Sequence, residues 1–126
     1  MSEFVRIIVK CHEYEYGHLE TIRNNLPNWQ YLVGGYIDII PIKPGISMVV
    51  NKDGKAIPLP PNILWDGDVI VGTIAVVGDD GNGMFSDCPI TMEEWADLLR
   101  EHATAEGSGS WQYGDPGSVL TETRGK

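Results

Sequence analysis

The run Val69-Ile70-Val71-Gly72-Thr73-Ile74-Ala75-Val76-Val77 constrains this chain more than any other feature. It is apolar and rich in β-branched residues, which favours an extended strand over a helix. Its length falls far below the ~18 apolar residues that a membrane-spanning helix needs. Such a segment is stable only when both of its faces are covered, so it predicts a central strand with a sheet built around it.

The rest of the chain supplies that sheet. Phe4–Lys10 reads as a strand near its middle, with Arg6 and Lys10 on one face. Residues 36–42 and 46–50, separated by Pro44-Gly45, read as a β-hairpin. Asn51-Lys52-Asp53-Gly54 suits a type I turn into a short strand over 55–58, which Pro58 ends. Leu59-Pro60-Pro61-Asn62 reads as extended irregular chain, Asp66-Gly67 as the turn into the apolar run, and Met84-Phe85-Ser86 as a short return strand.

Helical signals are fewer. Between His18 and Val33, Leu19, Ile22, Leu26, Trp29, Leu32 and Val33 recur at steps of three and four, with Pro27 interrupting. This predicts a helix from Pro27 to the glycine cap Gly34-Gly35, preceded by a helical turn around Leu19 to Arg23. Near the end, Thr91 and Glu94 form a capping box while Ile90 and Trp95 occupy the positions of a hydrophobic staple. That helix directs Trp95, Leu98, Leu99 and His102 at the sheet and Glu93, Asp97, Arg100 and Glu101 at water. The expected fold class is α+β: a small, mainly antiparallel sheet with a C-terminal helix packed on it. One domain over residues 1–105 is expected, then a flexible tail over 106–126 that begins with Gly107-Ser108-Gly109-Ser110 and contains Trp111 and Tyr113.

Charge narrows the partners. The formal net charge is -9, which argues against direct nucleic-acid binding because phosphate neutralisation needs clustered Lys and Arg. Acids and bases balance over residues 1–60, so the whole imbalance lies in the second half and an anionic ligand must choose the first. Cys11 and Cys88 match no metal or redox spacing and are expected to be buried, reduced thiols. The start MSEFVRIIVK has no secretory pattern, so a cytoplasmic protein without a membrane partner is expected.

Catalytic constellations are missing. His12-Glu13 opens like a zinc-protease motif, but Tyr16 stands where the second histidine belongs, and His18 and His102 add no ligand spacing. Asp79-Asp80-Gly81-Asn82-Gly83 has neither the alternating oxygens of an EF-hand nor the lysine of a phosphate loop. No serine sits in a nucleophile elbow. Neither an enzyme nor a cofactor nor a metal is therefore expected. What remains is a set of binding-type residues: Gly35, Tyr36, Lys43, Asn62, Trp65 and Thr73, joined by Arg6 and Lys10. Glycine lets a ligand approach the backbone, Tyr and Trp stack on a planar base, and Lys and Arg pair with phosphate. The competing reading makes Tyr36 and Trp65 core aromatics and the prolines shapers of an edge.

The ordered series Val33-Gly34-Gly35-Tyr36-Ile37, Val50-Asn51-Lys52-Asp53-Gly54-Lys55, Leu59-Pro60-Pro61-Asn62 and Ile70-Val71-Gly72-Thr73 resembles a small domain family of unknown function encoded by bacteriophages and mobile elements. The resemblance covers roughly residues 4–100 and departs from the family over Cys11 to Asn25, which is longer here. It implies a bacterial host cytoplasm and a viral counter-defence setting, and carries over no catalytic residues. The resulting expectation is a non-enzymatic, homo-oligomeric sponge that sequesters a small nucleotide-derived immune signal of the cyclic nucleotide or cyclic ADP-ribose type. The alternative is an acidic protein-interaction inhibitor that docks Glu93, Asp97 and Glu101 on a basic host surface.

Overall fold

Two β-hairpins are joined by one late strand. In the computed structural model, which describes residues 3–103, β1 (Phe4–Lys10) turns back into β2 (His18–Arg23) and β3 (Ile37–Lys43) into β4 (Ile46–Asn51). Between the hairpins lies β7 (Ile74–Asp79), antiparallel to β1 on one side and to β4 on the other. The order is β2-β1-β7-β4-β3, with the short β8 (Phe85–Ser86) pairing the end of β7. The expected tail over 106–126, with Trp111 and Tyr113, lies outside the described residues.

The apolar run is central, as its composition demands, but it is not one strand. Its first part belongs to β6 (Asp68–Val71), which pairs with β5 (Pro61–Trp65) in a separate two-stranded sheet. Gly72 carries the chain from one sheet to the other at φ 79°, and a Cβ there would stand 2.7 Å from Leu59 Cδ1. Both reasons favour glycine. Asn62 consequently lies in a strand, correcting the irregular chain expected over 59–62. The strand expected over 55–58 is a succession of turns instead, with Ala56 and Ile57 N–H donating to Asp53 O at 3.0 and 3.1 Å.

A second correction concerns residues 18–23. They form a strand, because alternation of half-buried and exposed side chains and a six-pair ladder with β1 outweigh a helical spacing that rests on two apolar residues. An isolated turn of helix has no such way to satisfy its backbone. The helix beyond it forms as expected: α1 (Leu26–Val33) starts under an Asn25 side-chain cap with Pro27 in its first turn and ends at Gly34, φ 84°. α2 (Met92–Ala103) carries its capping box, with Glu94 N donating to Thr91 Oγ1 at 3.1 Å and Thr91 N to Glu94 Oε1 at 2.8 Å.

The two faces of the sheet bury different covers. Odd-numbered β1 residues Val5, Ile7 and Val9 pack with Trp29 and Val33 of α1 and with Val49, Ala75 and Val77. On the opposite face Ile8, Met48, Ile74 and Val76 pack against Ile63 and Trp65 of β5 and Trp95 and Leu99 of α2. Each such buried side chain stabilises the fold by about 1.5–3 kcal/mol, so both covers are needed. At the outer strand β3, Ile39 N–H donates to the Asp38 carboxylate at 3.0 Å and Pro41 has no N–H, which leaves an incoming strand fewer donors. Among the described residues no helix is long and apolar enough to cross a membrane.

Candidate ligand-binding site

At the C-terminal end of α1 the chain makes a tight exit that opens a groove. The N–H groups of Gly34 and Gly35 both donate to Gln30 O, at 2.8 and 3.0 Å, closing the helix. The buried Asn51 clips this exit to β4: its Nδ2 donates to Val33 O at 3.1 Å and its Oδ1 accepts from Asp53 N at 2.7 Å. A Cβ on Gly35 would stand 2.9 Å from Asn51 Nδ2, so only glycine lets the clip close without displacement. Gln30, Gly34, Gly35, Tyr36, Asn51, Asp53 and Ile57 line a groove of about 310 Å³. Tyr36 is 69% exposed, leaving its ring available to a planar partner.

The polarity of this groove follows from the helix. Glycine amides that sequence reasoning would offer to a phosphate are already committed to Gln30 O. The carbonyl end of α1 carries the negative pole of the helix dipole, no basic residue sits in its last turn, and Asp53 adds a carboxylate. Ligand donors such as amino groups are favoured here, and phosphates are not. A second groove of about 390 Å³ shares Asn51 and Asp53 with the first and is lined also by the cations Lys52 and Lys55 and the carboxylates Asp38 and Asp68. Lys55 is engaged by Asp68 at 2.5 Å, whereas Lys52 Nζ has no hydrogen-bond or ion-pair partner among the described residues. Its backbone N–H donates to Tyr36 O at 2.8 Å, which ties the two grooves together. Lys52 and Asp53 were legible only as turn residues, and nothing local marks them as lining a groove.

The other candidate residues are dispersed. Trp65 is 6% exposed and stacks on His102 (centroids 3.8 Å apart, planes 6° apart) and on Trp95 at 6.1 Å, so it belongs to the core. His102 in turn contacts Asp66 Oδ1 at 2.7 Å. Lys10 is 1% exposed, and its ammonium donates to Asn62 Oδ1 and His12 O, each at 2.7 Å. Asn62 is fully buried and donates to Lys10 O at 2.8 Å and Gly72 O at 2.7 Å, beside the half-buried Thr73. This network closes β5 onto β1. Burial lowers the Lys10 pKa from 10.5 to about 8, with Glu15 and Glu13 acting in the opposite direction. Lys43 is exposed at the β3–β4 turn, and Arg6 is exposed on β1. Of the eight, Gly35 and Tyr36 line one groove together.

Other chemistry is accounted for by local bonding. In the acidic loop, Asp79 Oδ1 accepts from Gly81 N at 2.9 Å and Asp80 Oδ1 from Asn82 N at 2.7 Å, so these carboxylates fold the loop. Cys11 is exposed and Cys88 half-buried, which corrects the expectation of two buried thiols. Burial pushes both thiols up, and at Cys11 Glu15 adds to the rise, the direction opposite to activation as a nucleophile. Among the described residues, no three His, Cys, Asp or Glu side chains are grouped to hold a metal ion.

A family model described as "Domain of unknown function (DUF3846)" matches residues 5–100. No curated protein and no solved structure matches the chain.

Proposed function

Because the chain belongs to the DUF3846 family, whose function is unknown, its activity is argued from the groove, and we propose that it binds and sequesters a small nucleotide-type ligand without altering it. One observation carries the reading: two adjoining grooves share Asn51 and Asp53 and present the exposed Tyr36 ring in one and the unpartnered Lys52 ammonium in the other. A base stacks on Tyr36 with its amino edge toward Asp53, and its phosphate reaches Lys52. This division respects the negative end of α1, which repels phosphate from the Tyr36 side. The counter-defence role, in a phage or mobile-element setting and a bacterial cytoplasm, is supported by the sequence resemblance and is part of the same proposal.

Calorimetric titration with cyclic mononucleotides, cyclic dinucleotides and cyclic ADP-ribose tests it, with the ligand recovered afterwards. One compound is expected to bind and return intact. Loss of stacking in Tyr36→Ala should weaken it by about 1–3 kcal/mol, and Lys52→Ala should weaken it while flattening its salt dependence. A chemically altered compound would establish an enzyme. No binding across the panel would favour the acidic inhibitor, whose Glu93, Asp97 and Glu101 are exposed on α2.

A further inference from the structure

Among the described residues, nothing covers the start of the β1 face that buries Ile8. There Phe4 and Arg6 of β1 and Leu19 of β2 are exposed, Phe4 at 49% and Leu19 at 56%. The segment leading into α2 runs alongside, held by Cys88 N–H donating to Arg6 O at 2.8 Å and Arg6 N–H donating to Asp87 Oδ1 at 2.8 Å. Between them lies a cleft of about 320 Å³ lined by Arg6, Leu19, Cys88, Pro89, Ile90, Thr91 and Met92. Its walls are mostly apolar. The Thr91 hydroxyl oxygen in this wall accepts from Glu94 N in the helix cap.

Arg6 is the one charged residue in this lining, and its guanidinium has no hydrogen-bond or ion-pair partner among the described residues. In a chain of net charge -9, a cation that makes no ion pair among the described residues and stands beside an apolar cleft is complementary to a carboxylate carrying an apolar group. The volume is near the small end of ligand pockets, about 300–1,000 Å³, which suits a chain end better than a through-running segment. We infer that this cleft docks the C-terminus of a partner protein, its α-carboxylate forked by Arg6 and its last apolar side chain against Leu19, Ile90 and Met92. This recognition mode needs no ordered partner domain. It shares no lining residue with the Tyr36 grooves, so either site can be present without the other.

The test follows the protein's backbone amide resonances during titration with acetyl-Gly-Gly-Phe-Leu as the free acid, as its C-terminal amide, and with octanoate. The free acid is expected to shift Arg6, Leu19, Cys88, Ile90 and Thr91 and to bind at least about tenfold more tightly than the amide, as a charge-assisted pair requires. Arg6→Gln should erase that preference with the remaining spectrum unchanged, and Arg6→Lys should retain part of it. Equal binding of acid and amide, shifts confined to other residues, or no shifts at all would overturn the inference. Octanoate binding as tightly as the peptide acid would overturn it too, in favour of a small carboxylic acid.

Discussion

Arg6 and Lys10 leave the same face of β1 and reach opposite states. At the Lys10 end, β5 lies over the sheet and Asn62 meets the ammonium, so the cation is buried, bonded and lowered in pKa. At the Arg6 end no element among the described residues covers the face, and Arg6 is exposed. Strand parity sets which way a side chain points, but what it does depends on the cover, which here arrives from residues 61–65 and 92–103. The covered end holds the fold together.

The comparison breaks first at Asn62. Asn62→Leu removes one of the acceptors of a buried ammonium, leaving His12 O, and unfolding in urea should show a loss of about 1–3 kcal/mol. A smaller loss would mean that the covered end is not held by this network. The next effect is pH. Between pH 8 and 10.5 the folded state binds fewer protons at Lys10 than the unfolded state, so this group makes stability rise with pH across that window, by up to about 3 kcal/mol. The quantity to measure is the difference in slope between wild type and Lys10→Met, which should lack the rise.

His18, on the opposite face of the same hairpin, gives a smaller effect of opposite sign. Its pKa is raised above 6.5 by hydrogen bonding to Glu20, with burial opposing and Glu15 assisting. Its contribution is therefore complete below pH 6.5 and lost as pH rises through the folded value. Melting temperature should fall slightly across that range, and the fall should vanish in His18→Gln. The smallest effect is expected at the open end, where Arg6→Gln should change unfolding free energy by less than about 0.5 kcal/mol. A large loss there would mean that Arg6 is structural.

Legibility followed the range of the interactions. The α2 start was readable because Thr91 and Glu94 bond across one turn, and so was the end of α1, where Gly34 takes the left-handed conformation. The β3–β4 hairpin was marked by Pro44-Gly45 between two β-branched runs. β2 was misread because Leu19 and Ile22 satisfy a helical step while lying on opposite faces of the sheet. Burial of Lys10 had no local sign at all, since Asn62 is distant in sequence and no pattern within β1 separates Lys10 from Arg6. The Tyr36 end of the grooves was visible as a Gly-Gly-Tyr exit, whereas Lys52 and Asp53 became neighbours only through the Asn51 clip.

The position of β7 between the two hairpins also has a consequence during synthesis. β1 and β2 emerge from the ribosome before β3 and β4, yet neither hairpin has its inner neighbour until Ile74 to Asp79 has been made. At roughly 5–20 residues per second, the β1–β2 hairpin waits several seconds with an apolar edge unpaired. A nascent chain stalled before Ile74 holds two hairpins with nothing to join them. The strand that joins the two hairpins is thus made after both of them, and the α2 cover later still, so the interval before Ile74 arrives is when a chaperone has the most surface to hold.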